Sequence, residues 1–181
     1  RTPMQWTPDR NAGFSACDPA RLYLPVIMDP IYGYQAVNVE AQANNPGSLL
    51  HWTRKMIEIR QRHPVFGVGS YVELSASNPS VLAFTREITE DESPWGEMDT
   101  VLCVSNLSRF PQPVELDLRR FEGYAPVECM GGVQFPAIGE LPYLLTLPGH
   151  GFYWFQLVPP EDGDPVAGAD AGPGTRAGRT V

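Results

Sequence analysis

The chain has 181 residues, 43% hydrophobic and 19% charged, with a net charge of −8 and a pI near 4.8. This is an ordinary globular composition, and its acidic balance excludes the basic footprint that nucleic acid or anionic lipid would need. The three cysteines (Cys17, Cys103, Cys129) form no CxxC pair and no apolar run reaches spanning length, which argues against a zinc site and a membrane helix.

Residues 1–15 begin at Arg1 with no methionine and no signal peptide, and read as an internal piece of a longer chain. The expected compartment is the cytoplasm, with free thiols. Pro3 and Pro8 bias the residues before them away from the helical region, and Asp9, Asn11 and Gly13 are turn formers. This is loop sequence, yet it carries Met4, Trp6 and Phe14 as expected apolar anchors. An anchored loop with a few polar groups is a common way to build a binding site, and a well-packed connector is the alternative. Residues 21–28 are apolar but broken by Pro25, Asp29-Pro30 opens another turn, and residues 32–40 alternate only loosely. So long a stretch of irregular chain is usually functional or a linker, and its aromatics argue against a disordered linker.

One amphipathic helix is predicted at residues 46–63. Asn45 suits the N-cap and Pro46 the first helical position. Leu49, Trp52, Met56 and Ile59 recur at helical spacing, joined by Leu50 and Ile57. Arg54, Lys55, Arg60, Arg62 and His63 complement the dipole in the second half, and Pro64 ends the helix.

From Val65 the pattern changes. Strands are predicted at residues 71–74, 81–86, 100–106, 113–118, 125–129, 144–147 and 151–157, separated by Asn-Pro, Ser-Pro and Gly-Gly turn signals. Val114, Leu116 and Leu118 alternate with Glu115 and Asp117, the mark of a sheet with one wet face. Seven short strands at this spacing predict a mainly β fold, an antiparallel β-sandwich over residues 65–158. Residues 159–181 are rich in Gly, Ala, Pro and Asp and read as a disordered tail or linker.

No complete active site is visible. His51, His63 and His150 read as structural or solvated, and no serine lies in a nucleophile-elbow context. Asp9, Asp18, Asp29 and Glu40 share the loop-rich segment, but Asp18-Pro19 and Asp29-Pro30 look like turn initiators. Gly67-Val68-Gly69 precedes a strand and lacks the basic residue of a phosphate loop. Trp95, in a turn, is a candidate sugar-stacking platform, with packing as the commoner role of a turn tryptophan.

The motif Arg1-Thr2-Pro3-Met4-Gln5-Trp6, followed by Asn11-Ala12-Gly13-Phe14, resembles a stretch near the end of the catalytic barrel in glycoside hydrolase family 13. Residues 22–42, LYLPVIMDPIYGYQAVNVEAQ, are similar to the trehalose synthase branch of that family, whereas its glucosidases keep only the Val-Asn-Val-Glu part. The resemblance implies that residues 1–64 are the last active-site loop and final helix of a (β/α)8 barrel, followed by the C-terminal β-sandwich. It implies a parent enzyme that interconverts maltose and trehalose by intramolecular glucosyl transfer with retention. An α-glucosidase or oligo-1,6-glucosidase, or a non-catalytic glycan- or partner-binding sandwich, are the alternatives. The family's catalytic carboxylates are expected upstream of Arg1, so no catalytic residue and no metal ligand is assigned here, and residues 1–181 alone are expected to be inactive. Arg1 is the one substrate-binding candidate, facing the leaving-glucose subsite, with an ion pair that pins the loop as the alternative. No cofactor is expected in these residues. The resemblance further implies calcium in the barrel portion, a maltokinase partner and a homo-oligomer.

Overall fold

Turn formers and one amphipathic helix build the first part of this chain, and alternating apolar and polar residues build the second. A computed structural model describes residues 1–93, 96 and 98–160. Trp95, and all but the first two residues of the 159–181 tail, lie outside the described residues. Two compact units result, Arg1–Gly69 and Ser70–Val181. The division falls five residues later than the 64/65 boundary expected from sequence. Pro64 stops the long helix, but a further helical turn follows it before the first strand.

In the first unit, 3-10 turns at Arg10–Gly13 and Pro19–Arg21 precede three helices: α1 Val39–Ala43, α2 Leu49–Arg62 and α3 Val65–Val68. Asn38 caps α1, its Oδ1 accepting from the Ala41 amide at 2.8 Å. The long helix starts three residues later than predicted. Asn45 does not cap it; its Oδ1 accepts from the Gly47 amide in a local turn. Ser48 takes the cap, accepting from the His51 amide and donating to the Gln42 carbonyl. The His51 ring nitrogen lies 2.9 Å from the Ala43 carbonyl, so the corner between α1 and α2 is tied on both sides. Of the predicted apolar face only Ile59 is fully buried; Leu49, Trp52 and Ile57 are largely exposed.

The second unit holds seven strands: β1 Ser70–Glu73, β2 Val81–Ile88, β3 Asp99–Asn106, β4 Gln112–Leu116, β5 Ala125–Glu128, β6 Tyr143–Leu147 and β7 Phe152–Val158. All pairings are antiparallel, in a five-stranded sheet of order β1-β2-β3-β7-β5 and a two-stranded sheet β4-β6. The core lies between the sheets. Val81, Ala83, Leu102, Val104, Phe155 and Leu157 come from the larger one, and Val114, Leu116, Leu145 and Leu147 from the smaller. Leu118, Phe121 and Ile138 complete it. The predicted alternation is realised: Val114, Leu116 and Leu118 are buried while Glu115 and Asp117 are exposed. Each buried aliphatic side chain contributes roughly 1.5–3 kcal/mol of transfer free energy. At one end Arg120 donates to Thr85 at 2.8 Å, pairs with Glu87 and stacks on Phe121. The guanidinium thereby satisfies the fully buried Thr85 hydroxyl.

The three cysteines are unpaired. Burial pushes the Cys103 thiol up to about 12; Cys129 nearby adds to the effect and Arg86 offsets part of it. The folded chain therefore holds the Cys103 proton in a range where the unfolded chain, at an ordinary value of 9.0, releases it. Cys103 contributes stability that is complete below pH 9 and lost as the pH rises toward 12, at about 1 kcal/mol per pH unit. Urea midpoints measured at pH 8 and pH 10 should show this loss in the wild type and not in Cys103→Ala. Equal loss in both would assign it to other groups.

Candidate functional site

The candidate site is the rim formed by residues 1–44 of the first unit. It is held by main-chain hydrogen bonds rather than by a core. The Trp6 and Thr7 amides both donate to the Ala12 carbonyl, folding residues 6–12 into a closed loop. The carbonyls of Gln5 and Trp6 accept from the amides of Val39 and Glu40, each at 3.0 Å, so the opening segment docks on the start of α1.

The loop tip is strained. Asn11, Ala12 and Gly13 all have left-handed backbone, with φ of 56°, 59° and 68°. Alanine rarely adopts this conformation, and a run of such residues persists only where the surroundings over-determine it. Here Ala12 and Asn11 are buried, and Asn11 Nδ2 donates to the carbonyls of Ser15 and Cys17 at 2.9 and 2.8 Å. At Gly13 a side chain would also meet Thr7 Oγ1 at 2.5 Å.

Residues 27–38 form the other wall. Asp29 Oδ1 accepts from the amides of Ile31 and Tyr32, and the Gly33 amide donates to the Asp29 carbonyl at 2.7 Å. The Gly33 carbonyl in turn accepts from Ala36 and Val37. Between the walls lies a cleft of about 280 Å³, lined by Thr2, Met4, Gln5, Val37, Asn38 and Gln42 among others. Gln5 bridges the walls, its Nε2 donating to the carbonyls of Tyr32 (3.2 Å) and Val37.

The residues singled out from sequence are placed as follows. Arg1 is exposed at the end of the cleft-lining segment and makes no hydrogen bond or ion pair among the described residues. Met4, Trp6 and Phe14 are about half exposed within residues 1–181, and main-chain bonds hold the loop. Asp9 accepts from the Thr7 hydroxyl, Asp18 from the Ala20 amide and Asp29 from its own turn. These carboxylates serve turns, as the sequence suggested, and do not converge on the cleft. No group of His, Cys, Asp and Glu among the described residues is arranged to hold a metal ion, and no helix among them is long and apolar enough to cross a membrane. The bridging role of Gln5 and the strain at Ala12 were not legible, because their partners are backbone carbonyls far along the chain.

The sandwich has its own depression of about 490 Å³, bordered by Glu115, Asp117, Arg119 and Glu140. Arg119 holds the Asp117 carboxyl down to about 2 through a side-chain hydrogen bond, with Nε donating at 2.9 Å. Both groups are exposed, so this is a solvated pair of small energetic weight.

Residues 1–69 match the family model for the α-amylase catalytic domain, and residues 71–154 that for the maltogenic amylase C-terminal domain. A trehalose synthase of Pimelobacter sp. (strain R48) is 64% identical over 167 residues, 92% of this chain and 28% of that protein. The trehalose synthase/amylase TreS of Mycolicibacterium smegmatis is 62% identical over 170 residues, 93% of this chain and again 28% of the relative. Among solved structures, the trehalulose synthase MutB in complex with Tris superposes with a TM-score of 0.60 at 27% identity, covering 87% of this chain and 25% of the other. The chain thus spans little more than a quarter of the length of the curated relatives it matches.

Proposed function

We propose that the chain belongs to the α-amylase family, glycoside hydrolase family 13, on its matches to the catalytic-domain and C-terminal-domain models, and that it is the C-terminal part of a trehalose synthase. In this reading the full-length enzyme interconverts maltose and trehalose by intramolecular glucosyl transfer with retention. The observation that carries it is identity of 62–64% to trehalose synthases, sustained from the rim through the sandwich. Residues 1–69 supply the last active-site loop and final helices of the barrel, and residues 70–158 the β-sandwich.

The chemistry of this reading is two displacements at one carbon. A carboxylate upstream of Arg1 displaces glucose from maltose, giving a β-glucosyl ester, while a second carboxyl protonates the departing oxygen. The freed glucose turns within the pocket and its anomeric hydroxyl attacks the same carbon. The ester bond breaks, the proton returns to the second carboxyl, and trehalose forms. Water in place of that hydroxyl gives glucose. Arg1 lies on the acceptor side, where its exposed guanidinium presents paired donors to the hydroxyls of the leaving glucose.

A maltokinase partner, self-association and calcium in the barrel rest on the family resemblance, and the cytoplasmic expectation on the cysteine usage.

Full-length protein incubated with maltose should yield trehalose as the main product, and residues 1–181 alone should yield none. Glucose as the main product would instead support the hydrolase reading, which the double name synthase/amylase of one relative keeps in view. Trehalose made by residues 1–181 alone would refute the division of labour proposed here.

A further inference from the structure

A strand at the edge of a sheet leaves half of its main-chain groups without a neighbour, and proteins guard such edges with cover, brevity or charge. The described sandwich has four edges, at β1, β5, β4 and β6. Beside β4, the Ser77 amide donates to the Glu115 carbonyl at 3.2 Å, the Glu115 amide to Ser77 Oγ at 2.9 Å and Asn78 Nδ2 to the Pro113 carbonyl at 3.0 Å. Beside β5, the Phe135 amide donates to the Pro126 carbonyl and the Glu128 amide to the Val133 carbonyl, each at 2.8 Å. β1 is short, four residues, and ends on the charge of Glu73. The edge of β6 has none of these guards among the described residues.

The bonds beside β4 also fix which way β6 faces. Along an antiparallel strand, successive residues turn their main-chain groups to opposite sides. Pro113 and Glu115 turn theirs toward residues 77–78. Gln112, Val114 and Leu116 therefore turn theirs toward β6, where they meet Leu147, Leu145 and Tyr143. The amides and carbonyls of Leu144 and Thr146 point away from β4, and they enter no other main-chain hydrogen bond among the described residues. This edge reads Tyr143-Leu144-Leu145-Thr146-Leu147, without a charge, and Pro142 and Pro148 stand just beyond its ends.

We propose that the β6 edge pairs antiparallel with the β6 edge of a second copy of this chain, joining two β4-β6 sheets into one across a two-fold axis at Leu145. In that register Leu144 of each copy lies opposite Thr146 of the other, and each such pair exchanges both main-chain bonds. The next bonding positions are Pro142 and Pro148, which have no N–H, so the ladder ends where the strand does. Charge agrees with the direction. The end of β6 near Tyr143 gathers Glu115, Asp117 and Glu140 around Arg119. The other end carries Arg109 and His150, brought together where the His150 amide donates to the Ser108 carbonyl at 2.8 Å. Antiparallel pairing sets each acidic end on the basic end of the other copy, whereas parallel pairing would set like on like. The inference rests on the barrel reading in one respect. The strands of a closed barrel pair with one another, so the chain before Arg1 has no spare strand to lay along this edge.

The test uses the full-length protein and light scattering after size exclusion. Thr146→Pro removes an outward N–H without touching the β4 ladder, and Leu144→Lys sets like charges near the axis. The wild type should run as a dimer or a higher even oligomer. Each variant should run at half its mass, with unchanged secondary structure by circular dichroism. A monomeric wild type, or folded variants that keep the wild-type mass, would overturn the pairing. Should both variants unfold, covalent capture decides. In the double variant Leu144→Cys/Thr146→Cys the two positions face each other between copies with Cα atoms about 5.5 Å apart, within disulfide reach. Mild oxidation should give a covalent dimer that the wild type does not form, and its absence would equally overturn the pairing. Maltose activity is read in parallel. Protein that acts on no α-glucoside would sink the family reading, while the change in mass still reports on β6.

Discussion

Replacing Arg1 by alanine in the full-length protein lowers kcat/KM for maltose by about a hundredfold, the usual effect of deleting a donor aimed at reacting substrate. Arg1 is exposed and makes no hydrogen bond or ion pair among the described residues. Its removal therefore leaves the rim intact, and the melting temperature should stay within a degree or two. Arg1→Lys keeps the charge but not the paired donors, and should restore only part of the loss. An aryl glucoside lacks the second sugar, so its hydrolysis should be nearly spared. A loss below threefold on maltose, or an equal loss on both substrates, would remove Arg1 from the acceptor subsite.

Asn106→Leu destabilises the sandwich by about 3 kcal/mol, because it strips several buried partners at once. Asn106 is 3% exposed at the end of β3. Its Nδ2 donates to the carbonyls of Phe110, Pro148 and, more weakly, Leu147, and its Oδ1 accepts from the Ser108 amide. One side chain thus joins the loop after β3 to the turn between β6 and β7. Leucine fills the volume but bonds none of these groups. Thermal unfolding should shift down by about 10–20 °C for a unit of this size, and urea unfolding followed by tryptophan fluorescence should show a lower midpoint at unchanged slope. A loss below 1 kcal/mol would mean that water reaches those groups.

The sandwich was legible in the sequence and the rim was not, for one physical reason. Strands announce themselves through side chains. Val114, Leu116 and Leu118 against Glu115 and Asp117 specify a face, and each of the seven predicted strands lies within two residues of its observed ends. The helix was legible for the same reason, but its start was not. Asn45 and Ser48 are both good caps, and the choice depended on Gln42, which offers its carbonyl to Ser48 and its side-chain oxygen to the Leu50 amide. The rim is built from main-chain groups paired over long separations, such as Val39 with Gln5, and main-chain groups leave no trace in residue type. Only the turn carboxylates were readable there, because Asp29 and Asp18 bond within three residues of themselves. The assignment of Arg1 came from family resemblance, not from local pattern.

β7 is the last strand among the described residues and an interior strand of the larger sheet, seated between β3 and β5. Synthesis therefore delivers the keystone last. While the ribosome is still short of residue 152, β1, β2 and β3 can zip as a meander, but β5 has no neighbour in its sheet and the flank of β3 stays open. That flank presents Val101, Leu102 and Val104, the kind of bare apolar edge on which nascent chains stick to one another. A premature stop or a protease cut just before Phe152 removes one of the seven described strands yet opens both seams it closes. Truncated products should accordingly be recovered as aggregate or degraded, and the yield of soluble protein should rise sharply once the chain extends past Val158.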